Sequence, residues 1–456
     1  MITVIKRWFW VLVWSLTAIY ASLILINSVL FPGVRREQSL PINMVLLIGL
    51  SGLLFVLLLF NYQLMVKYSK YRIFFYSVTL LLLFALQIGS SISMQGALGA
   101  DDFDVRLQIA NFLAGSDQWS SYFAFGPNAG VVILFSKLLK YVFGNLQETS
   151  LIFNLLNYLF IDVAFFSGWK SLKLLGKHEE ADLYYTLGLL FSPLWMTALI
   201  VYTDVPALGF GMLGILLYFY SQKVKTVTMT YVALMGAILM MVLSVYMKEN
   251  MLILVIAVFL YEWLGRNAFN WRRGGVLLLA PLAFAGGIRM INHYEQVPES
   301  GYPTSYWVAI GYNTATDGTV AKGKIQTWPA TGALPNKEAR QKYDQALIKD
   351  EINNAGPVEV IKIFLNKINV QWSLGTVGVE SRSYTLLSKP SRIYPMIFGS
   401  RRDILRIWSQ LVYVLVIVGV LVTSVVMLKS APQTNTSLLN LLALYFKGWS
   451  LCAFGH

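Results

Sequence analysis

The sequence has little charge and almost no cysteine for its length. Charged residues make up 13% of the 456 residues, whereas a soluble globular domain carries about 25%. The single cysteine, Cys452, excludes an intramolecular disulfide framework and a cysteine-rich metal site. The three histidines, His178, His293 and His456, lie far apart along the chain, so the spacing of a zinc site is also missing.

Nucleotide-binding fingerprints are missing as well. The chain has neither a phosphate-cradling glycine–lysine loop nor a glycine-rich dinucleotide motif. A nucleotide-driven pump is therefore not supported. The net charge of +13 is what an excess of Lys and Arg in the cytoplasmic loops of a membrane protein produces. We therefore expect no nucleic-acid partner.

Hydrophobic residues are abundant instead. They make up 56% of the chain and form runs such as MVLLIGLSGLLFVLLLF at 44–60. A helix needs about 20 mostly apolar residues to cross a bilayer, and the pattern predicts about eleven such helices. The predicted spans are 8–30, 42–61, 73–95, 149–169, 181–201, 204–222, 229–247, 249–265, 275–291, 408–428 and 436–452. The sequence thus predicts an all-α, polytopic protein of the cell membrane, with the lipid bilayer as a partner.

Basic residues in the short loops orient these spans, because Lys and Arg accumulate on the cytoplasmic side. The segments assigned to that side are Lys6–Arg7, 67–72, 170–177, 223–225 and 266–273. The scheme requires that segment 126–143 does not cross, and we expect it to form a helix at the outer interface. Two long segments, 96–148 and 292–407, then face outward.

The chain divides into five parts on this scheme. They are the N-terminal membrane helices (1–95), the first external loop (96–148), a membrane bundle (149–291), an external cap loop (292–407) and the C-terminal membrane helices (408–456). The cap contains an amphipathic pattern at 336–354, which predicts a helix. Pro357 is placed to open a second helix at its first position.

Three acids stand where the third span ends: Asp101, Asp102 and Asp104. The plain explanation is that they solvate the end of a loop. Ionisable residues at a membrane boundary also mark functional sites. A carboxylate there can act as a general base toward a hydroxyl, and a pair can hold Mg²⁺ or Mn²⁺ through oxygen ligands. We consider Asp102 the candidate metal ligand, with the cofactor requirement otherwise unknown.

Further polar residues fall on the outward side. Asp204 lies in LIVYTDVPALGF, where capping of the following helix explains it well. Lys248 and Glu249 interrupt apolar sequence in YMKENMLI. A tight turn explains them, and so does attraction of an anionic lipid headgroup by Lys248. His293 follows the ninth predicted span.

Several of these stretches resemble a known superfamily. ADDFDVRLQIANFLAGSDQWSSYFAFGPNAGVVILFSKLLKYVFG, residues 100–144, resembles the first outer loop of GT-C fold glycosyltransferases, and VYTD at 201–204 resembles an outer turn of the same family. SYWVAIGYNTATDG at 305–318 and KINVQWSLGTVG at 367–378 are similar to late-loop motifs of the bacterial members that use polyprenyl-phosphate sugars. The resemblance covers roughly residues 70–380.

The resemblance implies a GT-C-like fold and an enzyme that moves a sugar from a polyprenyl-phosphate donor to a cell-envelope glycopolymer or glycolipid on the external face. Catalysis would fall to Asp101, with Asp102 as its neighbour or as the metal ligand. The residues expected to bind substrate are Arg106, Asp204, Lys248, His293, Trp307, Lys367, Trp372 and Arg382.

Two other classes remain open at this point. A flippase or transporter of lipid-linked sugars would also be polytopic, although such proteins often contain internal repeats and broken central helices, and the sequence shows no repeat. The third alternative is a scaffold protein of envelope polymer assembly.

Overall fold

The chain is almost entirely helical in a computed structural model. The structure describes residues 2–32, 39–98, 101–124, 129–144, 150–265, 271–298, 302–313, 331, 333–376, 384–386 and 392–429. The α-helices are α1 (Ile2–Leu30), α2 (Met44–Lys67), α3 (Arg72–Ser93), α4 (Asp101–Leu113), α5 (Ala129–Phe143), α6 (Ser150–Leu174), α7 (His178–Leu190), α8 (Ser192–Met196), α9 (Asp204–Lys223), α10 (Val227–Met247), α11 (Leu252–Leu260), α12 (Trp271–Tyr294), α13 (Thr304–Tyr312), α14 (Lys337–Trp372), α15 (Tyr394–Ile397) and α16 (Arg402–Lys429). Two short strands, β1 (Gly96–Leu98) and β2 (Tyr384–Leu386), add a small sheet that the sequence did not predict.

Seven described helices are long and apolar enough to cross a bilayer: α1, α2, α3, α6, α9, α10 and α16. They confirm seven of the predicted spans and the polytopic class. The predicted span 275–291 lies inside α12, which has 24 residues. The predicted span 436–452 lies outside the described residues.

One predicted span is interrupted, and another changes helix type along its length. Segment 181–201 is divided among α7, α8 and a 3₁₀ turn at Thr197–Leu199, with the break at Phe191. Pro193 explains this break, since its ring and missing N–H prevent the helix from running through it. Segment 249–265 consists of a 3₁₀ turn, the nine-residue α11 and a π-helical turn at Tyr261–Gly265.

The central helices α6, α9 and α10 pack closely because small residues stand at their crossings. A Cβ on Gly209 of α9 would lie 2.9 Å from the carbonyl oxygen of Phe160 on α6. A Cβ on Gly214 would lie 3.1 Å from the carbonyl oxygen of Ala237 on α10. Close backbone approach of this kind is what small residues provide in membrane helix packing.

The first and last described membrane helices are joined through the end of α14. Ser28 Oγ of α1 donates a hydrogen bond of 3.1 Å to the Trp372 carbonyl. Gln410 Nε2 of α16 donates to the carbonyls of Ser28 and Ser373, at 2.9 and 2.8 Å. Tyr413 Oη also donates to Trp372 O, at 2.8 Å. Sequence-distant helices are therefore fixed by hydrogen bonds to main-chain carbonyls.

The loops sort to two ends of the bundle, as the charge pattern requires. At one end, which we call the basic face, Arg72 of α3 pairs with Asp182 of α7 at 3.1 Å, and Arg273 of α12 reaches the carbonyl of Ser221 at 3.4 Å. These contacts join loops that the sequence assigns to the cytoplasm. The opposite end, the site face, carries the C-terminal ends of α3 and α10 and the N-terminal end of α9.

The two long loops meet at the site face. β1 and β2 pair antiparallel, with Ala97 opposite Thr385. Trp119 Nε1 donates to the Glu295 carbonyl at 2.9 Å, and the Glu295 carboxylate pairs with Lys137 of α5 at 2.9 Å. Helix α5 has 15 residues, about 22 Å at 1.5 Å per residue, so it is too short to cross a core of about 30 Å. This agrees with the interfacial helix predicted for 126–143.

The cap is built on α14, and both helical predictions for it are confirmed. Asn336 caps the helix by accepting a hydrogen bond of 2.8 Å from Ala339 N. Gly356 then interrupts it with φ 69° and ψ 172°, directly before Pro357. α13 packs on the first half of α14, where buried Asp344 accepts a hydrogen bond of 3.2 Å from Ser305 Oγ.

We expect segments 96–148 and 292–407 to lie on the external side together. With Cys452 replaced by serine, a membrane-impermeant maleimide should label cysteines at the exposed positions Ser116 and Gln345 in intact cells, because both lie on the outward segments. A cysteine at exposed Lys225, on the basic face, should react only after permeabilisation. Protection of either Ser116→Cys or Gln345→Cys in intact cells would contradict the assigned orientation.

Candidate functional site

The acidic motif opens helix α4 at the site face. Asp101, Asp102 and Asp104 all lie in its first turn, where the unpaired N–H groups of a helix favour negative charge. Helical geometry separates the three side chains. Asp102 points into the bundle and is 2% exposed, Asp101 is exposed, and Asp104 is half-buried. Their environments therefore differ although they are neighbours in the sequence.

Asp102 forms a buried ion pair with Arg106, one turn along α4. Arg106 Nε lies 3.1 Å from each carboxylate oxygen of Asp102, and Val201 N donates to the same carboxylate. Arg106 also reaches out of α4. Its Nη2 lies 3.1 Å from Asn154 Oδ1 and 3.0 Å from the Leu199 carbonyl. The pair thus joins α4 to α6 and to the irregular segment that precedes α9.

Two asparagines of α6 complete this junction. Asn154 Nδ2 donates to the Met94 carbonyl at 3.0 Å, where α3 ends. Asn157 Nδ2 donates to the carbonyls of Ala198 and Ile200, at 3.1 and 2.7 Å. Both asparagines are fully buried. Sequence reasoning missed them, although two amides three residues apart inside a membrane span are a usable signal for a polar junction.

These contacts revise two expectations from the sequence. Arg106 was a candidate phosphate ligand and Asp102 a candidate metal ligand or second catalytic acid. Instead, the two side chains form a salt bridge with each other. Among the described residues, no group of three or more Asp, Glu, His or Cys side chains comes together. The Asp102 carboxylate already accepts from Arg106 and Val201 N, and its role as a metal ligand stays a prediction.

Asp101 lies in a different setting, beside Tyr122, which the sequence did not single out. Tyr122, from the first outer loop, interacts with both Asp101 and Tyr202 of VYTD. Burial, followed by the charges of Tyr202 and Asp101, raises the pKa of the Tyr122 phenol. Burial and then the charge of Asp101 raise the pKa of Asp104. Within the described part of the chain, no basic side chain pairs with Asp101.

Asp204 and Lys248 come together at the same face. Lys248 Nζ donates to Asp204 Oδ1, joining the start of α9 to the end of α10. The helix begins with Asp204 itself, after Thr203 at the capping position, so the predicted cap is displaced by one residue. The Lys248 side chain is 26% exposed and the Asp204 side chain is 53% exposed. The Lys248 charge is thus already balanced by a carboxylate.

The other expected substrate ligands lie apart from Asp101 in every described contact. His293 is exposed near the end of α12, and Trp307 of α13 packs edge-on against Tyr306 at 5.1 Å between ring centroids. Lys367 is buried in the second half of α14. The ring of Trp372 packs against Tyr20 of α1. Arg382 lies outside the described residues.

An open polar groove follows α4 away from the acids. Its volume is about 270 Å³. It is lined by Phe112, Ser116, Asp117, Ser136, Lys137, Lys140, Tyr294, Glu295 and Gln296. Tyr294 is 82% exposed and offers an aromatic face, and the Lys137–Glu295 pair spans the groove. The lining therefore mixes hydrogen-bonding groups of both charges with an exposed ring.

We expect the Asp102–Arg106 pair to be required for stability. Asp102→Asn or Arg106→Leu leaves one charge buried without its partner, which costs about 3–5 kcal/mol. Arg106→Lys should not rescue, because one ammonium cannot reproduce the forked contacts of a guanidinium. Denaturant unfolding of the purified protein in detergent measures the effect, with Asp104→Asn as the matched control. Parent-like stability of Asp102→Asn would show that the pair is dispensable.

Comparison with known proteins identifies the chain only at the level of a family. No curated protein matches it. No solved structure matches it either. A family model described as conserved hypothetical integral membrane protein matches residues 1–386, which include the acidic motif, VYTD, Lys248 and the groove. Since the match covers most of the chain, the protein belongs to this family of integral membrane proteins.

Proposed function

We propose that the chain is a membrane glycosyltransferase that moves a sugar from a polyprenyl-phosphate donor to a cell-envelope glycopolymer or glycolipid acceptor, at the face that the charge pattern assigns to the outside. The observation that carries this proposal is the convergence of three sequence-distant stretches. The acidic motif, VYTD and the Lys248 turn meet at one end of the bundle. There Asp101 is an exposed carboxylate that interacts with the Tyr122 phenol, and Tyr122 also interacts with Tyr202.

The chemistry assigned to this face is displacement at the anomeric carbon. Asp101 takes the proton of an acceptor hydroxyl, whose oxygen forms a new bond to the anomeric carbon of the donor. The bond between that carbon and the phosphate oxygen breaks, and the phosphate leaves with the electron pair. A single displacement inverts the anomeric configuration. General-base assistance of this kind contributes about 100- to 10,000-fold in rate.

Tyr122 suits the role of a positioning residue for Asp101. Its phenol interacts with the carboxylate and with Tyr202, and it keeps its proton because burial raises its pKa. A protonated phenol that donates to Asp101 fixes the direction of the carboxylate. It also leaves the second oxygen free to accept the substrate proton.

The polar groove supports a carbohydrate acceptor. Sugars present hydroxyls that both donate and accept, and apolar ring faces that pack on aromatic side chains. In the groove, Lys137, Glu295 and Asp117 can form hydrogen bonds with sugar hydroxyls, and Tyr294 can pack against a sugar ring. It lies near Phe112, eleven residues along α4 from Asp101, or about 16 Å at 1.5 Å per residue. That distance suits an acceptor of several sugar units.

A flippase or transporter of lipid-linked sugars remains the second candidate, and one observation favours it. The segment between α6 and α9 is broken at Phe191 and again before α9, and discontinuous helices of this kind line the binding sites of secondary transporters. The two functions differ in outcome. A transferase consumes the lipid-linked sugar and releases polyprenyl phosphate, whereas a flippase returns it intact.

We expect Asp101→Asn to reduce sugar transfer by about 100- to 10,000-fold, since the amide cannot accept the hydroxyl proton. The readout is the release of polyprenyl phosphate by purified protein in proteoliposomes supplied with a panel of polyprenyl-phosphate hexoses. In cells, the mass of envelope glycopolymers from a deletion strain, complemented with parent or variant, gives the same comparison.

Asp104→Asn is the matched control, because it removes a carboxylate from the same helical turn. This variant should retain most of the transfer activity. Tyr122→Phe should lower the rate by less than Asp101→Asn while leaving the donor KM unchanged. Normal turnover by Asp101→Asn would refute its role as the base, and intact donor recovered on the opposite leaflet would favour the flippase.

The ion pair at Lys248 gives a separate test of donor binding. If Lys248 also attracts the donor phosphate, Lys248→Ala should raise the donor KM severalfold, since an interfacial charge contributes about 1 kcal/mol toward an anionic lipid. Asp204→Asn should leave that KM unchanged or lower it, because the ammonium is then free for phosphate. The rate is measured against donor concentration in proteoliposomes. Equal increases of KM in both variants would show that the pair is only structural.

A further inference from the structure

An acidic residue stands near the middle of a membrane-spanning helix. Asp162 is twelve residues from either end of α6, about 18 Å of helix on each side. A bilayer core of about 30 Å places this position close to its midplane. Ionisable side chains at such depth are costly and rare, and they mark functional sites by default. Neither the acidic motif nor the groove makes use of Asp162.

The surroundings of Asp162 are polar but carry no positive charge. Gln87 of α3 donates its Nε2 hydrogen to Asp162 Oδ1 at 2.8 Å, and both side chains are buried, at 5% and 9% exposure. One turn toward the site face, Tyr158 Oη lies 2.8 Å from Ser90 Oγ. These contacts form a polar seam between α3 and α6 inside an otherwise apolar region.

The other helices packed on α6 present apolar and aromatic side chains near Asp162. One turn toward the basic face, Phe165 packs against the rings of Tyr184 and Tyr185 from α7. On another side, α9 presents Gly209 and Phe210 to Phe160. In the part of the chain that the structure describes, no Lys, Arg or His pairs with Asp162. An ionised carboxylate here would have only the amide of Gln87 to stabilise it.

We propose that Asp162 and Gln87 form a proton-binding site within the membrane. An unpaired charge in an apolar medium is so costly that a buried group neutralises instead, so the carboxyl of Asp162 carries a proton when α3 is packed against α6. The site is close to lipid, since α3 exposes most of its surface and Leu82 and Leu86 are 59% and 70% exposed. Protonation and the closed α3–α6 contact support each other.

Hydrophobic carbodiimides test for such a carboxyl chemically. The acid proton moves to a carbodiimide nitrogen while the carboxylate oxygen adds to the central carbon, and the adduct rearranges to a stable N-acylurea. Purified full-length protein in nanodiscs is treated at neutral pH with dicyclohexylcarbodiimide, and its peptides are mapped by mass. We expect the adduct on Asp162. The matched control is Asp182, buried but paired with Arg72, which should remain unmodified, as should exposed Asp204.

Infrared spectroscopy tests the same site without any reagent. The carbonyl stretch of a protonated carboxylic acid should be present in the parent at neutral pH and absent in Asp162→Asn. The asparagine variant is neutral at every pH and of similar size, and it can still accept from Gln87, so it should fold. Gln87→Leu should retain the band, because the burial that favours the proton remains. A parent spectrum identical to that of Asp162→Asn would overturn the proposal, whatever the labelling shows.

Discussion

The buried pair between Asp102 and Arg106 is the contact on which the site face depends. It joins the start of α4 to α6 and to the segment that leads into α9. These three parts are far apart along the chain. Buried ion pairs contribute little net stability compared with apolar packing. Their strict geometry instead fixes where each partner lies. Here the pair sets both the rotation of α4 and the path of VYTD.

The rotation of α4 places its three neighbouring acids in different surroundings. With Asp102 turned inward to Arg106, the helical spacing turns Asp101 toward Tyr122 and leaves Asp104 half-buried beside it. The same division applies to the cations. Arg106 is bound to Asp102 inside the bundle, Lys248 pairs with Asp204, and Lys140 lines the groove. The described residues of the site are therefore polar and do not form a basic pocket.

Local patterns in the sequence predicted most of the helices, because apolar runs, the amphipathic pattern at 336–354 and the break before Pro357 act over a few residues. The sequence also indicated that Asp101, Asp204 and Lys248 share one side of the membrane. It did not reveal the pairing of Lys248 with Asp204 or the approach of Tyr122 to Asp101. Such contacts depend on helix packing between segments far apart in the chain. The break at Phe191 was missed because hydropathy averages over a single proline.

The pairing of β1 with β2 has a consequence for how the protein is made. Residues 96–98 receive their strand partner only when 384–386 have been synthesised, and Ser28 awaits Gln410 in the same way. At about 5–20 residues per second, the strand that leads into the acidic motif waits roughly 14–60 s for its partner. During this interval the early helices are already in the bilayer with polar contacts unmade. The β1–β2 pairing beside the acidic motif therefore forms after residues 101–296 have been made, and a nascent chain released before residue 384 lacks it.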